Sequence, residues 1–596
     1  MMYAGKMGRG RNDGTQKARN TKKVLKRLWQ YLYYDKVKFV TALVLTVVAN
    51  ALSLVGPYLT GRAIDAMARP VNFNLVFIFA GLMIGFYIVS AGLNYLLSMT
   101  MVKISQGVVF KMRADLFAKL NRVKISYFDG QLTGDIISKM SYDIDTINTS
   151  LATDVMNILT SFVTVIISFV MMIVMSPILC LVFVITIPIS IIITRALSKI
   201  IKRKYRIRNQ KLGELNGFAE EMITGQRTVQ SYVQEEAVLA RFDDINDAAS
   251  EASYQAGYYG TTVGPSVNFV SNLSVALVGV FGGILYAGVL PFVITIGQLT
   301  SFTLYSRRFS GPINQMSNII ADIQSALAAA ERVFGVLDEA EELKDHDDAI
   351  TLTDILGHIE FKEVSFGYVE NTSVLKHVNL EAKPGQVVAI VGPTGAGKTT
   401  LVNLIMRFYE IHEGQILLDG IDTSTIRRTD LRKAFSMVLQ DTWVFHGTIH
   451  ENIAYGNGDV CRLEVEEAAK KAHIHSFITH LPDGYDTILT DEGLNISKGQ
   501  KQLLVIARAM LSKTNMLILD EATSNVDTHT EIQIQHAMLQ LMHGKTTFVI
   551  AHRLSTIQNA DLILVVKEGN IVEQGKHQAL LDQKGYYYTL YQSQFA

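Results

Sequence analysis

Four stretches of this sequence, 39–61, 70–102, 155–194 and 252–306, contain no Asp, Glu, Lys or Arg. A helix rises 1.5 Å per residue, so about 20 apolar residues cross the roughly 30 Å hydrocarbon core of a bilayer. The first two stretches hold one span each. The third is long enough for two, hinged near Ser176-Pro177, and the fourth for two more, hinged near Pro291. Six transmembrane helices are therefore expected between residues 39 and 330. Composition agrees, with 49% apolar and only 18% charged residues, a balance tilted toward membrane proteins. The 55 basic and 55 acidic residues cancel. A neutral chain lacks the electrostatic footprint of a general nucleic-acid binder, and the expected large partner is the lipid bilayer. Cys180 and Cys461 lie far apart in different regions, which leaves no basis for a disulfide framework or a cysteine metal site.

Loop charge orients the spans. Residues 1–38 carry 11 Lys or Arg, and loops 103–154 and 195–251 carry 7 and 10, whereas the other side shows only Arg62 and Arg69. The positive-inside rule then places both termini and both long loops in the cytoplasm, so a multi-pass protein of the cytoplasmic membrane is expected. The basic N-terminus has no short apolar core before a small-residue cleavage site, so it is not a secretory signal. Within it, Leu25, Leu28, Trp29 and Leu32 form one apolar stripe, as in a helix lying in the membrane interface, and a core-facing helix would look the same. The two long loops contain no low-complexity stretch, which suggests helices that continue past the bilayer. Residues 127–140 and 220–232 are candidate docking points for a cytoplasmic domain, and by spacing alone equally solvated helical loops. The last span carries Gln298, Thr300, Ser301, Thr303, Tyr305 and Ser306, followed by Arg307 and Arg308. Polar groups in a span face the bundle interior or a cavity, so this helix is a candidate pathway wall; helix–helix hydrogen bonding explains the small ones as well.

An acidic linker, 331–354, follows. Its segment 338–348 holds seven acids in eleven residues and is expected to be solvated. Beyond it, from 355 to 596, short apolar strands alternate with helical patterns, the signature of an α/β domain. The fold class is thus a six-helix α-helical transmembrane domain followed by an α/β P-loop nucleotide-binding domain.

The phosphate loop itself is Gly392-Pro393-Thr394-Gly395-Ala396-Gly397-Lys398-Thr399-Thr400, directly after the strand-like run Val387–Val391. It matches G-x-x-x-x-G-K-[ST]. Glycines let successive N–H groups turn in around phosphate oxygens, and the following helix adds its positive end. Lys398 would reach the β/γ-phosphates of ATP and Thr399 would ligate Mg2+. Two further strand-like runs end in polar residues: Met516–Leu519 at Asp520-Glu521, and Thr546–Ala551 at His552. Ligands of parallel sheets sit at the carboxyl ends of strands, so these groups should converge. Asp520 could hold magnesium through water, Glu521 could polarise the attacking water, and His552 could donate to the γ-phosphate.

Together with Tyr368, Gln440 in VLQD, ISKGQ at 496–500, LILDEAT at 517–523, SNVD at 524–527 and AHR around His552, this half resembles the nucleotide-binding domain of ATP-binding cassette (ABC) transporters. The first half is similar to the membrane domain of ABC exporters, including FDGQLTGDIISKM and ERVF at 331–334. The resemblance implies a half-transporter of the multidrug and lipid exporter type, an ATP hydrolase driving export of a small amphipathic molecule, lipid or peptide. It implies that Tyr368 stacks on adenine and that Gln440 ligates magnesium and contacts the membrane domain. It also implies that Ser497, Gly499 and Gln500 face the ATP of a second chain, so that closure needs a dimer. A soluble ABC ATPase of the DNA-repair kind is excluded by six spans. An ATP-gated channel and an importer on the exporter scaffold remain alternatives, and the substrate is not specified.

The sequence departs from the family on one face. ISKGQ has Lys498 where the usual signature LSGGQ has its first glycine, Asp491 replaces the usual glutamate, and Asn525 stands where alanine is usual. All three are expected to meet the partner's nucleotide. Lys398, Thr399, Gln440, Asp520, Glu521 and His552, which serve the chain's own ATP, all match. That asymmetry points to a heterodimer of two half-transporters, with a homodimer as the alternative.

Overall fold

A computed structural model describes residues 20–68, 71–288, 294–345, 348–369, 372–440, 442–490, 496–520, 527–551 and 554–595. The chain divides into two units. The first comprises residues 1–123 and 131–340, and the second residues 124–130 and 341–596.

The first unit is helical. After α1 (Thr21–Leu32) come α2 (Lys36–Met67) and α3 (Phe73–Leu120); α4 (Ile125–Asp129) belongs to the second unit. Then follow α5 (Thr133–Met175), α6 (Pro177–Thr224), α7 (Glu235–Tyr286) and α8 (Ile296–Leu337). Among the described residues, five runs are long and apolar enough to cross a membrane: Thr21–Met67, α3, α5, α6 and α7. The sixth long helix is α8, in which the polar residues noted above dilute the apolar ones. The hinge expected at Ser176-Pro177 is present, with Pro177 starting α6. Proline at a first helical position loses only an N–H that has no helical partner anyway. The second expected hinge, Pro291, lies outside the described residues. Helices of 42 to 52 residues are about 60–80 Å long, twice what a bilayer needs.

On α1, Val24, Leu28 and Leu32 are buried while Leu25 and Trp29 are exposed. The helix therefore presents two apolar faces rather than one. Lys23 and Arg27 pair with Asp338, just past α8, and the Tyr31 hydroxyl donates to Asp115 on α3 at 2.8 Å. Within α5, two turns widen to π-helix, Lys139–Asp143 and Ser150–Asp154. Each inserted residue shifts the side-chain register. Asp143 is thereby buried, and Arg332 of α8 donates to both its oxygens, Nε at 2.9 Å and Nη2 at 2.5 Å.

The pathway reading of α8 is corrected at two positions. Ser301 and Tyr305 are buried against α2, donating to the carbonyls of Pro57 and Leu54 at 2.8 and 2.5 Å. They form a helix–helix seam rather than a cavity wall. Thr300 and Thr303 bond carbonyls of their own helix. Farther along the seam the Asp65 carboxylate accepts from the Thr295 hydroxyl and the Gly297 N–H, both at 2.8 Å. Between these bonds the backbones touch: a Cβ on Gly297 would lie 2.1 Å from the Gly61 carbonyl oxygen. Gly297→Ala is expected to lower stability by about 1–3 kcal/mol, because the helices must part. Thermal unfolding of the detergent-solubilised protein checks this. Gly81→Ala, where a Cβ meets nothing within 4 Å, should leave the midpoint unchanged.

Among the described residues the second unit contains two large sheets and a two-stranded antiparallel pair, Gly447–Thr448 with Ile488–Leu489. An antiparallel sheet has the order β2 (Leu375–Ala382), β1 (Ile359–Phe366), β4 (Glu413–Leu418), β5 (Ile421–Asp422). The central sheet has the order β10 (Asn570–Gly575), β9 (Leu562–Lys567), β3 (Val387–Val391), β8 (Thr546–Ile550), β7 (Met516–Asp520), β6 (Phe435–Val438). All its neighbours are parallel except the β9–β10 edge pair. Strands β3, β7 and β8 are near-continuously apolar and buried, as a parallel sheet covered on both faces requires.

The acidic linker is not simply solvated. Asp345 accepts from the backbone N–H and Nη1 of Arg428 at 3.0 and 2.9 Å, and Glu342 takes both terminal nitrogens of Arg432. Arg428 is 5% exposed and also bonds Glu410. A buried guanidinium needs paired carboxylates, and the linker supplies Asp345 and, at 3.9 Å, Glu342. Charge density in the sequence suggested solvation because the basic partners lie more than 80 residues downstream.

Candidate functional site

The three strand ends singled out in the sequence stand side by side. Strand β8 lies between β3 and β7, and Ile550 is level with both Ile390 and Asp520. The parallel register therefore brings Asp520 to the same edge as the loop that follows Val391. The loop 392–397 leads into α9 (Lys398–Ile405).

Its glycines are forced by geometry. Gly392 has φ 156° and a Cβ there would fall 2.2 Å from the Val566 carbonyl oxygen; Gly397 has φ 108° and would meet Leu375. The chain can pass this close to β9 and β2 only without side chains. Lys398 is 8% exposed, and its ammonium donates to the carbonyls of Gly392 and Pro393 at 2.8 and 3.1 Å. Burial holds its pKa below the ordinary lysine value, and the Asp520 charge opposes that shift. A partly desolvated ammonium inside a ring of backbone groups suits multiply charged phosphate. Thr399 is exposed at the helix start while Thr400 is buried. Gly395 and Thr394 are exposed on the loop and Ala396 is buried beneath it; the Ala396 carbonyl accepts from the Gly569 N–H.

Tyr368 follows β1 and stands 47% exposed, its hydroxyl 3.1 Å from Thr400 Oγ1. Its ring meets Phe366 and Tyr409 edge-on at centroid distances of 5.0 and 4.9 Å. Gln440 is exposed just past β6. Glu521 and His552, the expected catalytic pair, lie outside the described residues, as do Asp491 and Asn525.

Ser497 caps α10 (Lys498–Leu511). Its hydroxyl accepts from the Gln500 N–H at 3.2 Å while the Gln500 side chain accepts from the Ser497 N–H at 2.8 Å. This reciprocal cap satisfies two donors at the helix start. Lys498 is exposed in the first turn and Gly499 is buried. The retained Ser, Gly and Gln thus preserve the helix start, and Lys498 changes only its charge.

Sequence reasoning missed Arg508. It lies on α10: Nε donates to Asn452 O at 2.8 Å, Nη1 to Trp443 O at 3.2 Å, and the guanidinium lies over the Phe445 and Tyr455 rings, 5.8 and 5.4 Å from their centroids. Burial lowers its pKa. It ties the stretch that follows Gln440 to the helix that begins at Ser497. The only sequence signal was an arginine within an apolar helix, too weak to assign. Tyr409 and Asp129 were missed as well; the Tyr409 hydroxyl bonds the Asp129 carboxylate of α4. Of the two expected docking points, residues 127–130 of the first belong to the second unit, whereas 220–232 stay with the first.

Comparison with known proteins extends across the chain. The family profile described as ABC transporter transmembrane region matches residues 39–313, and the profile described as ABC transporter matches residues 375–524. The chain is similar to an uncharacterized ABC transporter ATP-binding protein, YfiC, of Bacillus subtilis strain 168, with 42% identity over 97% of this chain and 95% of that one. It is similar to a fatty acid ABC transporter ATP-binding/permease protein of Mycobacterium tuberculosis, with 43% identity over 81% of this chain and 76% of that one. Among solved structures, a bacterial Atm1-family ABC exporter with ATP bound superposes with a TM-score of 0.76 at 28% identity, covering 94% of this chain and 98% of that one.

Proposed function

Because the chain belongs to the ABC transporter family, as an exporter-type half-transporter that hydrolyses ATP in a membrane-spanning dimer, we propose that it exports a lipid-like amphipathic molecule from the cytoplasmic side, as one half of a heterodimer. The single observation that carries the ATP-driven part is the alignment of the strand before the phosphate loop with Asp520, with the buried Lys398 ammonium held on the loop carbonyls and under the Asp520 charge. The substrate class draws on two relatives: the mycobacterial fatty acid transporter, and an ATP-dependent lipid A-core flippase of Syntrophus aciditrophicus, 34% identical over 96% of this chain and 94% of that one.

In this reading the loop N–H groups of 392–397 and Lys398 hold the β- and γ-phosphates, and Tyr368 offers its exposed ring to adenine. Thr399, Gln440 and Asp520 are the residues that would hold Mg2+, an oxygen-ligand set of the kind it prefers; the ion would neutralise charge on the transferred group. Glu521 orients and deprotonates water, and His552 donates to the γ-phosphate. Both ends of the chain and the second unit face the cytoplasm, in line with the basic loops.

The heterodimer rests on Lys498. Two copies of this chain would put that exposed cation into both composite sites. One copy beside a partner with a regular signature leaves the site on this chain's phosphate loop intact. Affinity-tagged chain isolated from its native membranes should bring down a second, related half-transporter in equal amount. A stable, fully active assembly of this chain alone would overturn the heterodimer and leave a homodimeric exporter.

A further inference from the structure

The second unit holds a cavity of about 260 Å3, and none of its described lining residues belongs to the nucleotide site. Its floor is the central sheet, where Leu519 of β7 and Val549 of β8 stand on one rung. Two helices wall it. From α11 (Thr528–Met542) come Met538 and Met542, and from α12 (Leu554–Gln558) comes Thr556. In the chain α11 follows β7 and α12 follows β8, so the space lies inside two strand–helix pairs of one sheet. An apolar cavity of about 150 Å3 already admits benzene. This one is larger.

The lining selects the kind of guest. Leu519, Val549, Met538, Leu539 and Met542 make the walls largely apolar. Water held inside a protein needs about two to four polar partners, which such walls do not offer. Methionine sulfur is polarisable and makes favourable contacts at the edges of aromatic rings, so two methionines on one wall favour a flat ring. One end differs. Gln535 and His543 line it, and neither side chain has a hydrogen-bond partner among the described residues. Helix α11 also ends at this wall, where Leu539, Met542 and His543 line the space. The carbonyls of a last helical turn lack helical partners and carry the negative end of the dipole. A guest that donates an N–H is favoured there, and a carboxylate is not.

We propose that this cavity binds a small neutral aromatic molecule with one hydrogen-bond donor, of the size of indole, and that its occupancy slows ATP turnover. The effect on turnover comes through the floor. Leu519 immediately precedes Asp520, and Val549 precedes Ile550, which stands level with both Asp520 and Ile390 of the phosphate-loop strand. A guest on the Leu519–Val549 rung therefore bears on strand ends one residue away, because close-packed interiors transmit strain. It also takes up the free space into which α11 and α12 can shift. The site is separate from the residues that would hold ATP and Mg2+, and it requires neither a particular transported molecule nor a particular partner chain.

The test uses the complete assembly in lipid nanodiscs, with methyl-labelled methionine and indole as the probe. Of the 21 methionines, Met538 and Met542 are identified by the signals lost in Met538→Leu and Met542→Leu. Indole should shift both signals saturably through its ring current, and at saturation kcat should fall about twofold or more while KM for ATP changes less. Met542→Trp fills the space from its own wall. It should lower kcat without indole, abolish the saturable shift at Met538 and make turnover insensitive to indole. Gln535→Leu keeps the cavity open but removes an acceptor, so it should weaken indole binding about two- to tenfold. It should leave the binding of 1-methylindole, which has no donor, unchanged. Shifts that grow linearly with indole, as for partition into lipid, or that persist in Met542→Trp, would overturn the site. Should Met542→Trp fail to assemble, equal affinity for indole and 1-methylindole, unaltered by Gln535→Leu, would overturn it as well. Saturable binding with unchanged kcat would overturn the control of turnover.

Discussion

Glu521→Gln is expected to retain ATP binding and to lose about 10²–10⁴-fold in turnover. Glutamine keeps the size and can accept one hydrogen bond, but it cannot take a proton from water. General-base catalysis contributes a factor of that order. The proposed role rests on the sequence, where Glu521 directly follows Asp520, the last residue of β7. Steady-state phosphate release, with ATP affinity measured on the same preparation, checks this outcome. Hydrolysis at the unmodified rate would move the general base elsewhere along the strand edge.

Lys398→Ala should have the other large effect, on binding rather than chemistry. Its ammonium sits inside the loop, and its side chain is surrounded closely enough that burial lowers its pKa. On the proposed reading, removing it takes away the main cation facing the phosphates, and hydrogen bonds to charged groups are worth about 1.5–3 kcal/mol each. Losing two such bonds predicts ATP affinity weaker by about 10²-fold or more. Alanine also lacks any partner for the Gly392 and Pro393 carbonyls, so the loop itself should loosen. Equilibrium binding of ATP without magnesium, where turnover is suppressed, measures the effect directly. Unchanged affinity would mean that the loop does not hold the nucleotide.

The parts of the site that were legible in the sequence are those where backbone geometry dictates residue type. Gly392 and Gly397 stand where any Cβ would strike β9 or β2, and Asp520 stands where an apolar strand ends. Both constraints are local, so spacing reveals them. Ser497 and Gln500 were legible for a similar reason, because a helix cap needs fixed offsets of three residues. What escaped depends on distant partners. Tyr409 and Asp129 are 280 residues apart, and Arg428 is 83 residues from Asp345. Nothing in either neighbourhood names the other.

Hydropathy also has a characteristic blind spot. It found the long membrane segments but could not tell Ser301 and Tyr305, which bond carbonyls of α2, from groups lining a pathway. Both uses call for polar atoms in an apolar helix. The π-turns of α5 were invisible for another reason: an inserted residue in a helix leaves no composition signal, yet it is what turns Asp143 toward Arg332.

ATP turnover at this chain's phosphate loop is expected to drive movement of a lipid-like molecule. Its most direct test is translocation in proteoliposomes holding the chain with its co-purified partner, nucleotide-binding domains outward. Labelled long-chain fatty acid and labelled phospholipid would be supplied in the outer leaflet. The account predicts that at least one label moves inward with ATP and magnesium, and that Glu521→Gln in this chain abolishes the movement. Wild-type ATP turnover with neither label moving, or movement undiminished by Glu521→Gln, would contradict it.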